Sequence, residues 1–263
     1  MADTKKPWIE GPYELIKPSK TGATAGTKQT GAEAVATEMV LIHNILIRGI
    51  NAVHRQAINV ATKGTDKDKK DFANYGYQWS VTVHSHHSME ETAIFPKIAE
   101  QTGVANIMDT NLEEHTAFEA GLNEYQAYLT EVKEGRVELD GEKLIKLIDN
   151  VMPILHKHLV NEVDTLLSLK QYDDRCDLEK IFRDEVGKAL NMAMKDSGYR
   201  NNLLPLLFNS HDKSYENGVW MDFPPMPWVA MLAIRWLFCR THADWWRFAP
   251  CDSTCYPQEL PFA

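Results

Sequence analysis

The chain has 263 residues, 44% of them hydrophobic and 25% charged, with a formal net charge of −9. That is the composition of an ordinary globular protein. An excess of carboxylates argues against a nucleic-acid partner, which needs a basic face to meet phosphates. No apolar run follows Met1, so no secretory leader is expected. The most apolar late stretch, 228–239, carries Arg235 and falls well short of the about 18 residues of a membrane span. Cys176, Cys239, Cys251 and Cys255 are scattered and lack the paired spacing of a zinc site. They read as reduced thiols of a cytoplasmic protein.

Residues 1–31 read as an N-terminal arm, because 17–26 is polar and rich in helix breakers. Trp8, Ile9, Tyr13, Leu15 and Ile16 are its candidate anchors. A first helix is expected over 32–61, where Val35, Met39, Ile42, Leu46, Ile50 and Val53 recur at spacings of three and four. His43 adjoins that stripe. Residues 62–70 read as a solvated connection, and a second helix follows over 71–100. Val81-Thr82-Val83 is strand-like in isolation, but the surrounding periodicity outweighs it. Pro96 predicts a kink or an early end. A third helix is expected over 105–133, with an N-cap at 109–111, and a fourth over 142–170, bent at Pro153. From residue 171 onward the character changes: 173–200 predicts one or two polar helices, and 203–263 holds five of the seven tryptophans. Within that part, 220–228 cannot continue a helix and 229–240 predicts a short one.

Histidines and glutamates carry the chemistry. Of ten histidines, four have Glu at i+4: His86/Glu90, His87/Glu91, His115/Glu119 and His158/Glu162. With 20 glutamates in the chain, chance supplies fewer than one such pair. An i, i+4 pair points to one side of a helix. A helical rise of about 1.5 Å per residue also serves as a ruler. Counted to each intervening turn, His43, the His86–Glu91 cluster, His115/Glu119 and His158/Glu162 fall at one level of an up-down-up-down four-helix bundle. Periodicity leaves open which of the two overlapping pairs on the second helix faces inward. Either choice gives four imidazoles and three carboxylates, more than one tetrahedral zinc uses. Mixed nitrogen and oxygen donors on that scale suit two octahedral ions, iron or manganese, with positions open to dioxygen.

The pattern resembles the hemerythrin-like, or HHE cation-binding, family. The resemblance covers about 32–169 and rests on His43, on His86-x3-Glu90-Glu91-x3-Phe95-Pro96, and on His158-x3-Glu162. The late run Trp246-Arg247-Phe248-Ala249-Pro250-Cys251 resembles the tails of fungal members. The resemblance implies an all-α four-helix bundle, a non-haem di-iron centre and oxygen binding. It also selects His86/Glu90, giving His43, His86, Glu90, His115, Glu119, His158 and Glu162 as the expected ligands. Oxygen carriers of the family place a histidine where Glu119 stands, and on the fourth helix they use Asp one position after Glu162. A more anionic donor set lowers a metal's reduction potential. The expected function is therefore oxygen activation for oxidation of a small organic molecule. Non-enzymatic oxygen or iron binding is the alternative, and a helical interaction module with a structural metal the third reading. His54, His84, His87 and His156 read as surface or supporting residues, and Glu91 and Glu114 as solvated charges. His211 and His242 carry no separable signal. The expected organisation is an arm (1–31), a metal-binding bundle (32–170) and a Trp/Pro-rich extension (171–263) that covers the bundle or forms a lid above the metals.

Overall fold

Four long helices set the architecture of the computed structural model, which describes residues 11–23 and 28–263. They are α1 (Gly31–Lys63), α2 (Asp66–Met89), α4 (Asp109–Lys133) and α5 (Gly141–Ser168). They form an up-down-up-down bundle in which α1 packs on α5 and α2, and α4 on α2 and α5. Among the described residues there is no strand, only an isolated bridge between Cys251 and Pro257. No helix is long and apolar enough to cross a membrane. The four cysteines are free and buried.

Local chemistry sets the ends of these helices. The second helix begins five residues earlier than its apolar pattern indicates. Thr65 and Asp68 form a reciprocal capping box, with Thr65 Oγ1 accepting from the Asp68 amide and Asp68 accepting from the Thr65 amide. Its far end is reshaped by Pro96, which has no N–H to give. A single π turn, Glu90–Ile94, is inserted there, with the Phe95 amide bonding back to the Glu90 carbonyl. The helical course resumes as α3 (Phe95–Thr102) and stops at Gly103, whose φ of +71° suits glycine. Helix α5 starts on Asp140, which accepts from the Lys143 amide. At Gly141 a Cβ would lie 2.6 Å from the Ala57 carbonyl oxygen, so glycine permits the close approach to α1. Pro153 sits inside α5 on its exposed side.

Helix α1 is buried on nearly every side, as expected of a helix with no solvent-facing stripe. One side faces the bundle. The arm covers a second: the Asn44 side chain accepts from the Ile16 amide and donates to its carbonyl, both at 2.8 Å. Asn51 does the same for Tyr13, at 3.0 and 2.8 Å. Two asparagines, two helical turns apart, thus serve the arm as a neighbouring strand would. Of the expected anchors, Tyr13, Leu15 and Ile16 pack on the core, while Trp8 and Ile9 lie outside the described residues.

The chain after α5 covers the third side of α1. Helix α6 (Leu178–Lys195) packs on α1 and α3, and α7 (Leu204–Ser210) on α1 and α2. Then come α8 (Trp228–Ala233), a π turn (Ile234–Phe238), α9 (Cys239–Thr241) and α10 (Ala243–Trp246). The Trp246-Arg247-Phe248 run docks firmly. Phe248 meets Phe72 edge-on at 5.2 Å, its carbonyl accepts from Gln56 Nε2, and Arg247 pairs with Asp68 and Asp71. The tryptophans do not all seal the bundle: Trp246 is buried, but Trp228 and Trp236 are exposed.

Replacing Asn51 by Ala strands the Tyr13 amide and carbonyl. The expected cost is about 1–3 kcal/mol in chemical denaturation, with faster tryptic cleavage after Lys20.

Candidate metal centre

Four helices send polar side chains into one buried layer. Helix α1 supplies His43, the end of α2 supplies His86 and His87, and the π turn opens with Glu90. Helix α4 supplies His115, and α5 supplies His158 and Glu162. Six of the seven are buried, and His86, at 9% side-chain exposure, is nearly so. They fall into two donor groups, His43/His86/Glu90/Glu162 and His87/His115/His158, each with its donor atoms within 4.8 Å of one another.

The two carboxylates lie between the groups. Glu90 Oε1 is 3.1 Å from His86 Nε2, while its Oε2 is 3.8 Å from His115 Nε2. Glu162 Oε2 is 3.3 Å from His43 Nε2 and 3.7 Å from His158 Nε2. Each therefore reaches toward both groups, as a carboxylate shared by two cations must.

Hydrogen bonds fix the imidazole tautomers. His43 Nδ1 donates to the Leu159 carbonyl at 2.7 Å, leaving the Nε2 lone pair facing inward. His115 Nδ1 donates to Glu91 at 2.7 Å and His158 Nδ1 to Glu114 at 3.1 Å. Glu114 is itself held by Asn161 Nδ2 at 2.6 Å. Glu91 and Glu114 are thus not idle surface charges, as the sequence suggested; they orient two imidazoles. A consequence follows at His115 and His158, whose Nε2 atoms lie 3.2 Å apart. With both Nδ1 atoms protonated, both Nε2 atoms are bare acceptors and cannot bond to each other. Two nitrogens about 2.1 Å from one ion, at tetrahedral to octahedral angles, lie about 3.0–3.4 Å apart.

The remaining donors fit the same reading. His43 Nε2, His86 Nε2, both nitrogens of His87 and all four oxygens of Glu90 and Glu162 are buried without a hydrogen-bond partner. Native interiors rarely tolerate such a set. Burial pushes the imidazoles of His43, His86 and His158 down to about 3, and that of His87 well below its ordinary range. Burial, then the charges of Glu162 and Glu91, hold Glu90 well above the usual carboxylate range. Neutral imidazoles are the form that binds metal, and a cation relieves the strain on the carboxylates. The donor set fits a pair of metal ions.

Six of the seven residues expected from the sequence meet here. Glu119 does not: it is exposed on α4, in the field of His84. The buried positions of α4 run Asn111, His115, Phe118, Leu122, Tyr125. One turn past His115 the inward direction is therefore taken by Phe118, which packs 4.8 Å from the His87 ring. His87, read from the sequence as a supporting residue, stands in the donor group instead. His86 and His87 differ by about 100° around α2 and straddle its inward direction. His86 meets His43, with ring centroids 5.3 Å apart, and His87 meets His115 at 4.5 Å. The signal was present: His87 follows Val83 by one turn, and both are buried. The clustered side chains thus comprise five imidazoles and two carboxylates, where the sequence suggested four and three. His54 and His156 serve the arm, through contacts with Tyr13 and the Glu14 carbonyl.

The comparisons accord with this geometry. Residues 35–169 match the family described as hemerythrin HHE cation binding domain. The chain belongs to that family, and its clustered histidines and glutamates mark a metal-binding site. It is also 32% identical over 258 residues to the "Dimeric xanthone biosynthesis cluster protein R11" of Cryptosporiopsis sp. (strain 8999), covering 98% of this chain and 94% of the relative. No solved structure matches.

Two measurements test the donor set. His87→Ala is expected to lower bound metal by one ion per chain in elemental analysis, whereas Glu119→Ala retains the wild-type content. Acid should weaken the chelator-treated fold. Unfolded histidines take up protons near pH 6.5, but His43, His86 and His158 do so in the fold only near 3. Stability is thus lost as the pH falls below 6.5; Glu90, shifted upward, works the other way but is outnumbered. Urea midpoints should fall from pH 7.5 to 5.5, and a flat profile contradicts the assignment.

Proposed function

We propose that this chain is a non-haem di-iron protein that binds dioxygen and uses it to oxidise a small organic molecule. The observation that carries the reading is the position of Glu90 and Glu162 between two histidine groups. In this proposal His43, His86, Glu90 and Glu162 would hold one ion and His87, His115 and His158 the other, with both glutamates within reach of either group. A bound iron pair supplies the electrons that reduce oxygen. The protein's own residues then have distinct tasks. Glu91 and Glu114 hold the protons on His115 and His158 at Nδ1, so that both rings keep Nε2 for the metal. Phe118 and Phe95 pack against the His115 ring at 5.7 and 5.8 Å and exclude water from that side. Glu91, whose side chain is 42% exposed, joins the buried layer to solvent and is placed to pass protons between them.

Support for an enzymatic role comes from the relative, whose name associates it with a biosynthesis cluster for dimeric xanthones. An oxidation within the making of an aromatic product is the corresponding task here. With Glu119 outside the group, the donor set is less anionic than the sequence suggested and does not itself favour oxygen activation.

That same change favours a second reading, reversible oxygen or iron binding. The donor set is rich in imidazole and tightly enclosed, and the cavity beneath the C-terminal extension touches none of the seven residues.

Two irons per chain are expected on anaerobic reconstitution. Stopped-flow mixing of the ferrous protein with oxygen should give an absorbance transient that decays faster when a phenolic substrate is added. Repeated uptake and release of oxygen without net oxidation would instead establish the second reading.

A further inference from the structure

A cavity of about 500 Å³ lies on the opposite side of α1 from the histidine cluster. Ile42 and Ile45 of α1 and Leu207 and Phe208 of α7 form its inner wall. The loop 221–227 and Met231 of α8 form the outer wall. Its size is in the range of about 300–1,000 Å³ common to small-organic sites. The walls are mostly aliphatic, aromatic and thioether groups, with the charged Lys213 and Asp222 at less buried positions of the lining. Met221, Met226 and Met231 give the outer side a polarizable surface that adapts to flat rings.

One buried polar side chain breaks this apolar lining. His211, the residue after α7, is 3% exposed and lines the cavity. Its ring bonds to the Trp220 backbone, while Nε2 has no partner; the bond is therefore made through Nδ1. A backbone carbonyl can only accept, so Nδ1 carries the hydrogen and Nε2 is left as a bare acceptor. Burial and the nearby Arg48 guanidinium hold the ring neutral, down to about 4. The same guanidinium, itself buried, opposes a cationic guest. What completes such a site is a molecule that is mostly apolar, not cationic, and able to donate one hydrogen.

We propose that this cavity is a second, metal-independent binding site for a flat aromatic molecule whose phenolic hydroxyl donates to His211 Nε2. The site shares no residue with the donor cluster and stands whether or not the iron reading holds. Nothing in the proposal requires chemistry in the cavity; it is a place of binding.

Calorimetric titration of the full chain with 2-naphthol and with 2-methoxynaphthalene tests it, on metal-loaded and chelator-treated protein. The two probes share a ring system and differ in the hydrogen to be donated. The expected result is one 2-naphthol per chain in both preparations, with the methyl ether about tenfold weaker, the difference made by a lost buried hydrogen bond. His211→Phe should bring the two probes within about twofold of each other, since nothing then distinguishes them. Met231→Trp, which fills the cavity, should abolish binding of both at unchanged helicity and metal content. Met226→Trp serves the same purpose from the other wall should the first variant misfold. The proposal is overturned if 2-naphthol gives no heat, if wild type does not distinguish the probes, or if binding survives in the filled variants. Loss of 2-naphthol binding on metal removal would also overturn it, by placing the probe at the metal layer.

Discussion

Two carboxylates sealed in the bundle interior set the strictest constraint on this protein. Glu90 and Glu162 are fully buried, and none of their oxygens receives a hydrogen bond. Moving one ionised carboxylate out of water costs several kcal/mol even after the protein relaxes, and two adjacent ones add their repulsion. Neutral imidazoles do not offset that charge; cations do. The surroundings follow from this need. Every bundle helix contributes to one polar layer, while hydrocarbon and aromatic groups such as Trp79, Tyr125 and Ile98 fill the core beyond it. The outer carboxylates, Glu91 and Glu114, extend the same logic one step toward solvent by fixing the imidazoles that face the centre.

Much of this was legible from spacing alone. A His/Glu pair one turn apart survives as a signal because helix geometry turns sequence separation directly into direction. The level of each donor could be counted because rise per residue is nearly constant. What the spacing could not supply was the phase of each helix at the critical turn. On α4 the inward face passes to Phe118, so Glu119 is carried out of reach although its separation from His115 equals that of the true partners elsewhere. On α2 two successive histidines both enter, which a rule of one inward residue per turn excludes. Glu91 and Glu114 escaped notice for a related reason: their role depends on contacts between helices, and a single-helix pattern does not contain those.

The regions outside the bundle were less readable, because their order comes from partners distant in sequence. The arm is fixed by two asparagine side chains of α1 rather than by its own apolar residues alone. The Trp246–Phe248 run is held by Gln56, Asp68, Asp71 and Phe72, none of which advertises the contact. The tryptophan-rich extension was expected to cover the bundle or form a lid; Trp246 is buried while Trp228 and Trp236 are exposed. Composition reports how much aromatic surface there is and not which way it turns.

The enclosure of α1 has a consequence for how the molecule comes apart. Arm, bundle and C-terminal extension each cover one side of this helix, so its backbone amides meet water only after at least one of those coverings has lifted. Hydrogen exchange along α1 then reports the opening of its neighbours rather than fraying of its own turns. His43, near its middle, is enclosed by the same coverings.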